Sequence, residues 1–271
     1  MIIHSIGRIA RTPIFASFLI ATVVQAQPLQ PSGGWNVDYG ETQCIALRKF
    51  GSKEDGWMFG VRPSFNKESF ELMISREGSG PSSIEQDSGA VDFGSGPIKT
   101  QVLRYKTPDS RISVQRYRVS ADELRRKLNA REVMLSIGSK SMRFSLQGFA
   151  QVVKALDTCL ADLRQHWNSD TALGTGAKSA KGDVRRLFTG DDYPAIALLE
   201  NHEGQATFIL LVDEKGKVAG CDLARPSGVP VLDVMGCEVF RKRARFTPAR
   251  NAAGQPVRDT VVSPPVRWKI M

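Results

Sequence analysis

The sequence predicts an α+β protein built from a strand-rich N-terminal unit closed by a helix, followed by a small ββαβ unit. Three observations carry this. Short runs of β-forming residues, separated by Gly, Pro, Asn and Asp, fill the first half of the chain. One strong apolar period of three and four follows Gly148, the mark of a helix with one buried face. After a small, polar stretch at 168–186 come two β-rich runs, a helical run and a last extended run. A length of 271 residues allows one or two domains with a sizeable core. Hydrophobic residues at 41% and charged ones at 24% exclude a disordered chain and a multi-span membrane protein.

Residues 1–26 read as a secretory signal peptide. Arg8 and Arg11 form a positive beginning, 14–24 is apolar, and Val24-Gln25-Ala26 puts small residues before a cleavage point at Gln27. The competing reading is an inner-membrane anchor, but the apolar run is shorter than the roughly 20 residues that span a bilayer. The mature chain is therefore expected in the periplasm.

The first unit spans 27–167. A mixed run at 42–47 and β-rich runs at 56–61, 69–74, 100–105, 112–119, 133–137 and 142–146 are expected strands, and Gly/Ser-rich 78–88 an expected surface loop. Ser120-Ala-Asp-Glu123 is a capping box opening a short helix. Phe149, Val152, Val153, Leu156, Cys159, Leu160 and Leu163 then mark one face of the closing helix.

Export bears on the four cysteines, because an oxidising compartment preserves disulfides. Cys44, Cys159, Cys221 and Cys237 allow three pairings. The simplest joins Cys44 to Cys159 within the first unit and Cys221 to Cys237 within the second. Buried free thiols are the other reading, and a zinc site is disfavoured because no CxxC pair exists.

Motifs for catalysis are weak. Ser64-Phe-Asn-Lys67 matches an acylating S-x-x-K, without the S-D-N and K-T-G elements that accompany it. The 174–179 stretch resembles a phosphate loop but has Ala177 before Lys178 and no preceding strand. His166 and His202 connect to no nucleophile pattern. No enzyme, cofactor, metal or small-molecule substrate is expected.

The charge of +9 is spread along the chain, with Arg8 and Arg11 in the leader. Export argues against nucleic acid as the partner. Arg241-Lys-Arg-Ala-Arg245 concentrates cations at a helix C-terminus, where they complement the dipole. The same run could bind an anionic surface, so two uses stand beside each other.

In the second unit, 187–271, Pro194 opens a short helical turn over 195–200. A β-rich run to Gly216 and a return strand at 218–223 make a hairpin. A helix over 231–245 and a final strand over 257–270 follow. Tyr193-Pro194, Glu203-Gly204, Val212-Asp213 with Gly216-Lys-Val218, Ser227-Gly228, Leu232-Asp233, Arg245-Phe246-x-Pro248-Ala249 and Gly254-x-Pro256-Val257 together resemble the TonB C-terminal domain family. The resemblance implies a small α/β domain of the Gram-negative periplasm that engages outer-membrane transporters, whose TonB-box peptide adds as a strand to the sheet edge. The edge offered here is the last strand, through Val257, Val261, Val262, Val266 and Trp268, the tryptophan being either an interface anchor or core.

Two functions follow. The first is a periplasmic TonB-like protein that binds a partner peptide, an outer-membrane transporter or another envelope protein by strand addition, with a second copy of the chain as a further partner. The second is a membrane-anchored energy transducer that couples a proton-driven inner-membrane motor to outer-membrane transport. The stretch 168–186 before Leu187 contains no proline to span the periplasm, the apolar run 14–24 contains no histidine because His4 precedes it, and a folded unit stands where the transducer has its spacer.

Overall fold

The computed structural model describes residues 27–52, 56–78, 80–81, 83–107, 111–170 and 176–270; the leader expected over 1–26 lies outside them. No helix among the described residues is long and apolar enough to cross a membrane. The molecule is α+β, dominated by a curled sheet.

The first part of the chain supplies nine strands. They are β1 (Asn36–Tyr39), β2 (Cys44–Phe50), β3 (Trp57–Pro63), β4 (Ser69–Glu77), β5 (Glu85–Asp92), β6 (Pro97–Lys106), β7 (Ile112–Ser120), β8 (Glu132–Ile137) and β9 (Lys140–Ser145). Their order in the sheet is β1-β2-β3-β4-β7-β6-β5-β8-β9, every pair antiparallel. The ends of this order approach one another. Leu29 bridges Phe144 of β9 while Pro31 bridges Phe50 of β2, and the Phe50 and Phe144 rings meet at 5.2 Å. A curled sheet encloses a core on its inner face, because alternate side chains of every strand point to that side.

The expected loop at 78–88 is corrected in its second half, where β5 begins at Glu85. Glu-Gln-Asp-Ser has little strand propensity of its own. Pairing with β6 along its length and with β8 beyond makes it a strand, as tertiary context often does. Gly89 shows how close that pairing is, since a Cβ there would sit 2.4 Å from Ser136 O and 2.5 Å from the Val102 side chain.

Ser120 caps α1 (Ala121–Arg125) through the expected capping box. The helix α2 (Phe149–His166) buries all seven residues of the periodic face against the inner side of the sheet. Cys159 on that face meets Cys44 of β2 as a disulfide with Cα atoms 6.0 Å apart.

The last part has α3 (Ala195–Leu199), β10 (Gly204–Val212), β11 (Val218–Arg225) and α4 (Pro230–Arg243). Short strands β12 (Ala249–Arg250), β13 (Pro256–Val257), β14 (Asp259–Val262) and β15 (Val266–Trp268) complete it. In this sheet β10 is central, with β11 on one side and β14 and β15 in succession on the other. Phe208, Leu210 and Val212 alternate onto the α4 side. Cys221, opposite Leu210 on that side, is bonded to Cys237 of α4 with Cα atoms 5.6 Å apart. Gly236 lets α4 approach, because a Cβ there would lie 2.2 Å from the Phe208 ring.

Two expectations are corrected here. The helix ends at Arg243 and not at 245, since Ala244 is extended and Lys217 bridges Arg245, drawing the chain towards the hairpin. The single final strand over 257–270 is divided into β13, β14 and β15. Pro264 and Pro265 lack the N–H that would continue the ladder. Val257 instead pairs with Ala249 in a separate two-stranded ladder.

The remaining face of β10 carries Ile209 and Leu211, which belong to the same apolar cluster as the core of the first sheet. Polar contacts join the same parts: Phe65 N–H donates to Asp222 Oδ2 at 2.8 Å and Asn66 Nδ2 to Ala224 O at 3.2 Å. Thr260 Oγ1 donates to Trp167 O at 2.9 Å, and Asn168 Nδ2 to Arg258 O at 2.7 Å. Within the polar stretch between them, Lys178 and Lys181 bridge Arg250 and Thr247, and Ala180 N–H donates to the buried Asp259 carboxylate at 2.7 Å.

Candidate functional site

Two features could engage another molecule: the outer edge of β14 and β15, and a cleft between α4 and the outer face of the large sheet. Among the described residues neither β11 nor the β14/β15 line carries a further strand. The β11 edge is occupied in part by side chains, since Ala224 O accepts from Asn66 and Cys221 O from Arg241. On the β14 side Thr260 N–H donates to Asp259 Oδ1 at 2.9 Å and Arg258 O accepts from Asn168 at 2.7 Å, so both edges are occupied in part and main-chain pairing is left to the positions beyond those contacts.

The expected edge residues separate along that line. Val262, opposite Ile209, is 60% exposed. Val261 opposes Leu210 and packs with Val257 and Val266 around the α4-side core. Trp268 opposes Gly204 and is 5% exposed, with Phe188 and Tyr193 rings edge-on to it at 5.6 Å each. Its packing makes it core, the alternative the sequence left open.

The cleft has a volume of about 1170 Å³. Its floor is the outer face of β4, β6 and β7, and its roof is the stripe Pro230, Asp233, Val234, Cys237 and Arg241 of α4. Those spacings of three and four put one helix face over the sheet. At its base Glu71, 5% exposed, receives three arginines. Arg62 donates from Nε at 3.2 Å and Nη2 at 2.8 Å. Arg116 donates at 2.6 Å and Arg118 at 3.1 Å. Strand register explains the convergence, because Glu71 pairs with both Arg62 on β3 and Arg118 on β7, and all three point to the same face. Burial pushes the Glu71 carboxyl up, but Arg116, Arg62 and Arg118 together outweigh it and hold the group well below the usual carboxylate range.

The basic run at the end of α4 is divided among distinct contacts. Arg243 forms a bidentate pair with buried Asp192 at 2.6 and 2.8 Å and donates to Leu187 O at 2.8 Å. Lys242 pairs with Glu238 one turn back at 2.8 Å, and Arg245 donates to Ala244 O at 2.7 Å. Arg241 alone of the four turns into the cleft. Most of the run is therefore engaged in ion pairs and carbonyl contacts at the helix end.

The S-x-x-K match falls on the turn between β3 and β4. Ser64 Oγ donates to Asn66 Oδ1 at 2.7 Å and Lys67 takes a positive φ of 67°. His202 pairs with Glu200 and His166 contacts Arg258. Among the described residues no group of three His, Cys, Asp or Glu side chains could hold a metal.

Sequence reasoning missed Glu71 and its arginines. Arg116 and Arg118, two apart in a β-rich run, were a legible sign of a charged strand face. Which carboxylate faced them depended on register, and register is a tertiary property.

Residues 190–270 match the family model of the Gram-negative bacterial TonB protein C-terminal. This is the segment in which the sequence motifs lie. No curated protein and no solved structure matches the chain.

Proposed function

We propose that this chain is an exported TonB-like envelope protein whose TonB C-terminal segment binds a peptide from an outer-membrane transporter or another envelope protein. Binding is by strand addition at the β14/β15 edge, where main-chain hydrogen bonds supply affinity and flanking pockets supply selectivity. The observation that carries this reading is a sheet edge with no further strand among the described residues, within the segment that matches the TonB C-terminal family. Pro264 and Pro265 divide the edge, so a guest strand would pair along β14, β15 or both, with a break between. The exposed Val262 offers an apolar contact beside that edge.

Hydrogen exchange of the full chain, with and without a synthetic TonB-box peptide, tests the reading. New protection is expected within 259–268. Protection at β11, or none anywhere, would reject strand addition at this edge.

Location has its own test. N-terminal sequencing of the chain from a periplasmic extract is expected to begin at Gln27. Recovery of Met1 only in the membrane fraction would favour the anchored transducer.

A further inference from the structure

The cleft under α4 collects more cationic than anionic side chains, and its walls are partly apolar. Facing into it are the guanidiniums of Arg62, Arg116, Arg118 and Arg241 and the ammonium of Lys99. The carboxylates facing them are Glu71, Asp222 and Asp233. Glu71 accepts from three of the arginines. Asp222 stands 3.9 Å from Arg62 and is also occupied by Phe65 N–H. Asp233 accepts from Ser227 N–H at 2.9 Å.

The cations are less fully matched. Arg116 Nε is buried with no hydrogen-bond partner among the described residues, although its Nη2 reaches Glu71. Arg241 makes one hydrogen bond among the described residues, at 3.4 Å to Cys221 O. Burial, followed by repulsion from the facing Arg62 and from Arg116, pushes the Arg241 guanidinium below its ordinary value, with Glu238 and Asp222 pulling the other way. An uncompensated donor in a desolvated site is costly, and an anion placed there relieves the cost. Leu103, Tyr105, Leu223 and Val234 give the same cleft an apolar wall. Its volume of about 1170 Å³ lies a little above the usual range for a small-molecule site.

We propose that this cleft binds a small organic anion, with its carboxylate or phosphate head between Arg116 and Arg241 and its apolar body along Leu103, Tyr105 and Val234. The site lies away from the β14/β15 edge and stands independently of strand addition. A ligand here touches both the large sheet and α4, so it would also hold the two parts of the molecule together.

Calorimetric titration of the full chain tests this with dodecanoate, monododecyl phosphate and dodecyltrimethylammonium below their micellar concentrations, dodecanol below its solubility limit, and inorganic phosphate. At least one anionic amphiphile is expected to bind one per chain with Kd on the order of 10 μM. The alcohol, the cationic amphiphile and inorganic phosphate are expected to bind at least tenfold more weakly. Arg241→Gln should weaken the anion at least fivefold without lowering the melting temperature, since Arg241 makes one long hydrogen bond and is repelled by the facing Arg62 and Arg116. Lys99→Gln, on an exposed strand position, is the second variant and should weaken binding in the same direction. The proposal is overturned if dodecanol binds as tightly as the anions, if phosphate alone matches them, or if neither substitution changes the affinity. Comparison of dodecanoate with monododecyl phosphate then identifies the head that the cleft prefers, and tighter binding of either supports the proposal.

Discussion

Glu71→Gln is expected to destabilise the folded chain by about 3–5 kcal/mol, the range found when one partner of a buried ion network is removed. Glutamine keeps the shape of the side chain but removes the charge that Arg62, Arg116 and Arg118 converge upon. Three guanidiniums would then repel one another in a buried site with no anion between them. A urea titration measures the loss directly. Adding Arg116→Met to Glu71→Gln should recover part of it, because that double variant removes repulsion as well as attraction. A neutral Glu71→Gln result would mean that solvent or structural relaxation screens the cluster and that the network is not important for folding.

The same cluster sets a pH dependence. The Glu71 carboxyl lies below its ordinary value of 4.5 in the folded chain, so folding favours the ionised form. Its stabilisation is complete above that value, where the unfolded chain is also ionised. It is lost as the pH falls through the depressed folded-state value. Stability of the natural chain should therefore fall on acidification below about pH 4.5 more steeply than that of Glu71→Gln. Parallel profiles for the two would reject Glu71 as a source of the acid sensitivity.

Replacing Cys44 and Cys159 together with alanine is expected to cost about 4–5 kcal/mol. The bond closes a sequence separation of 115, and removing it restores the entropy of that long loop to the unfolded chain. Both residues are buried where α2 meets β2, so lost packing adds to the effect. Cys221 and Cys237 span a separation of only 16, and their double replacement should cost less, about 3 kcal/mol. Urea midpoints of the two double variants, with the slope checked for each, test the order. If the shorter loop proves the more costly, native packing rather than loop closure governs the contribution of these bonds.

These two effects differ in how visible they were beforehand. The cysteine pairing was approachable because the expected export narrowed the chemistry and Cys159 lay on a plainly periodic face. The pairing within each half was also the simplest of three. Glu71 gave no such sign, since an isolated Glu in a β-rich run usually faces water. Its burial depends on β3 and β7 lying on either side of β4, and on α4 from the end of the chain covering that face. Similarly, β5 was hidden because Glu85–Ser88 has the composition of a loop, while its ladders with β6 and β8 make it a strand.

The β10 run 206–212 holds a stronger lesson. Its nearly unbroken apolar sequence is consistent with burial on both faces, and α4 covers one of them while the first core takes Ile209 and Leu211 from the other. Periodicity could indicate two covered faces, yet it could not identify the second cover as the N-terminal part of the chain. The proline pair at 264–265 was likewise readable as a break, although a continuous strand was expected across it.

By itself the sequence determined the α+β class, the closing helix, the hairpin and helix of the C-terminal segment, and its TonB-like pattern. Those features rest on local periods, turn residues and ordered motifs, all of which are written along the chain. Tertiary structure alone decided the order of the nine strands, the arginine cluster around Glu71, the division of the final edge and the cleft beneath α4. Each of these needs residues far apart in sequence to meet in one register, and the free energy that selects the register is gained only when the faces are packed together.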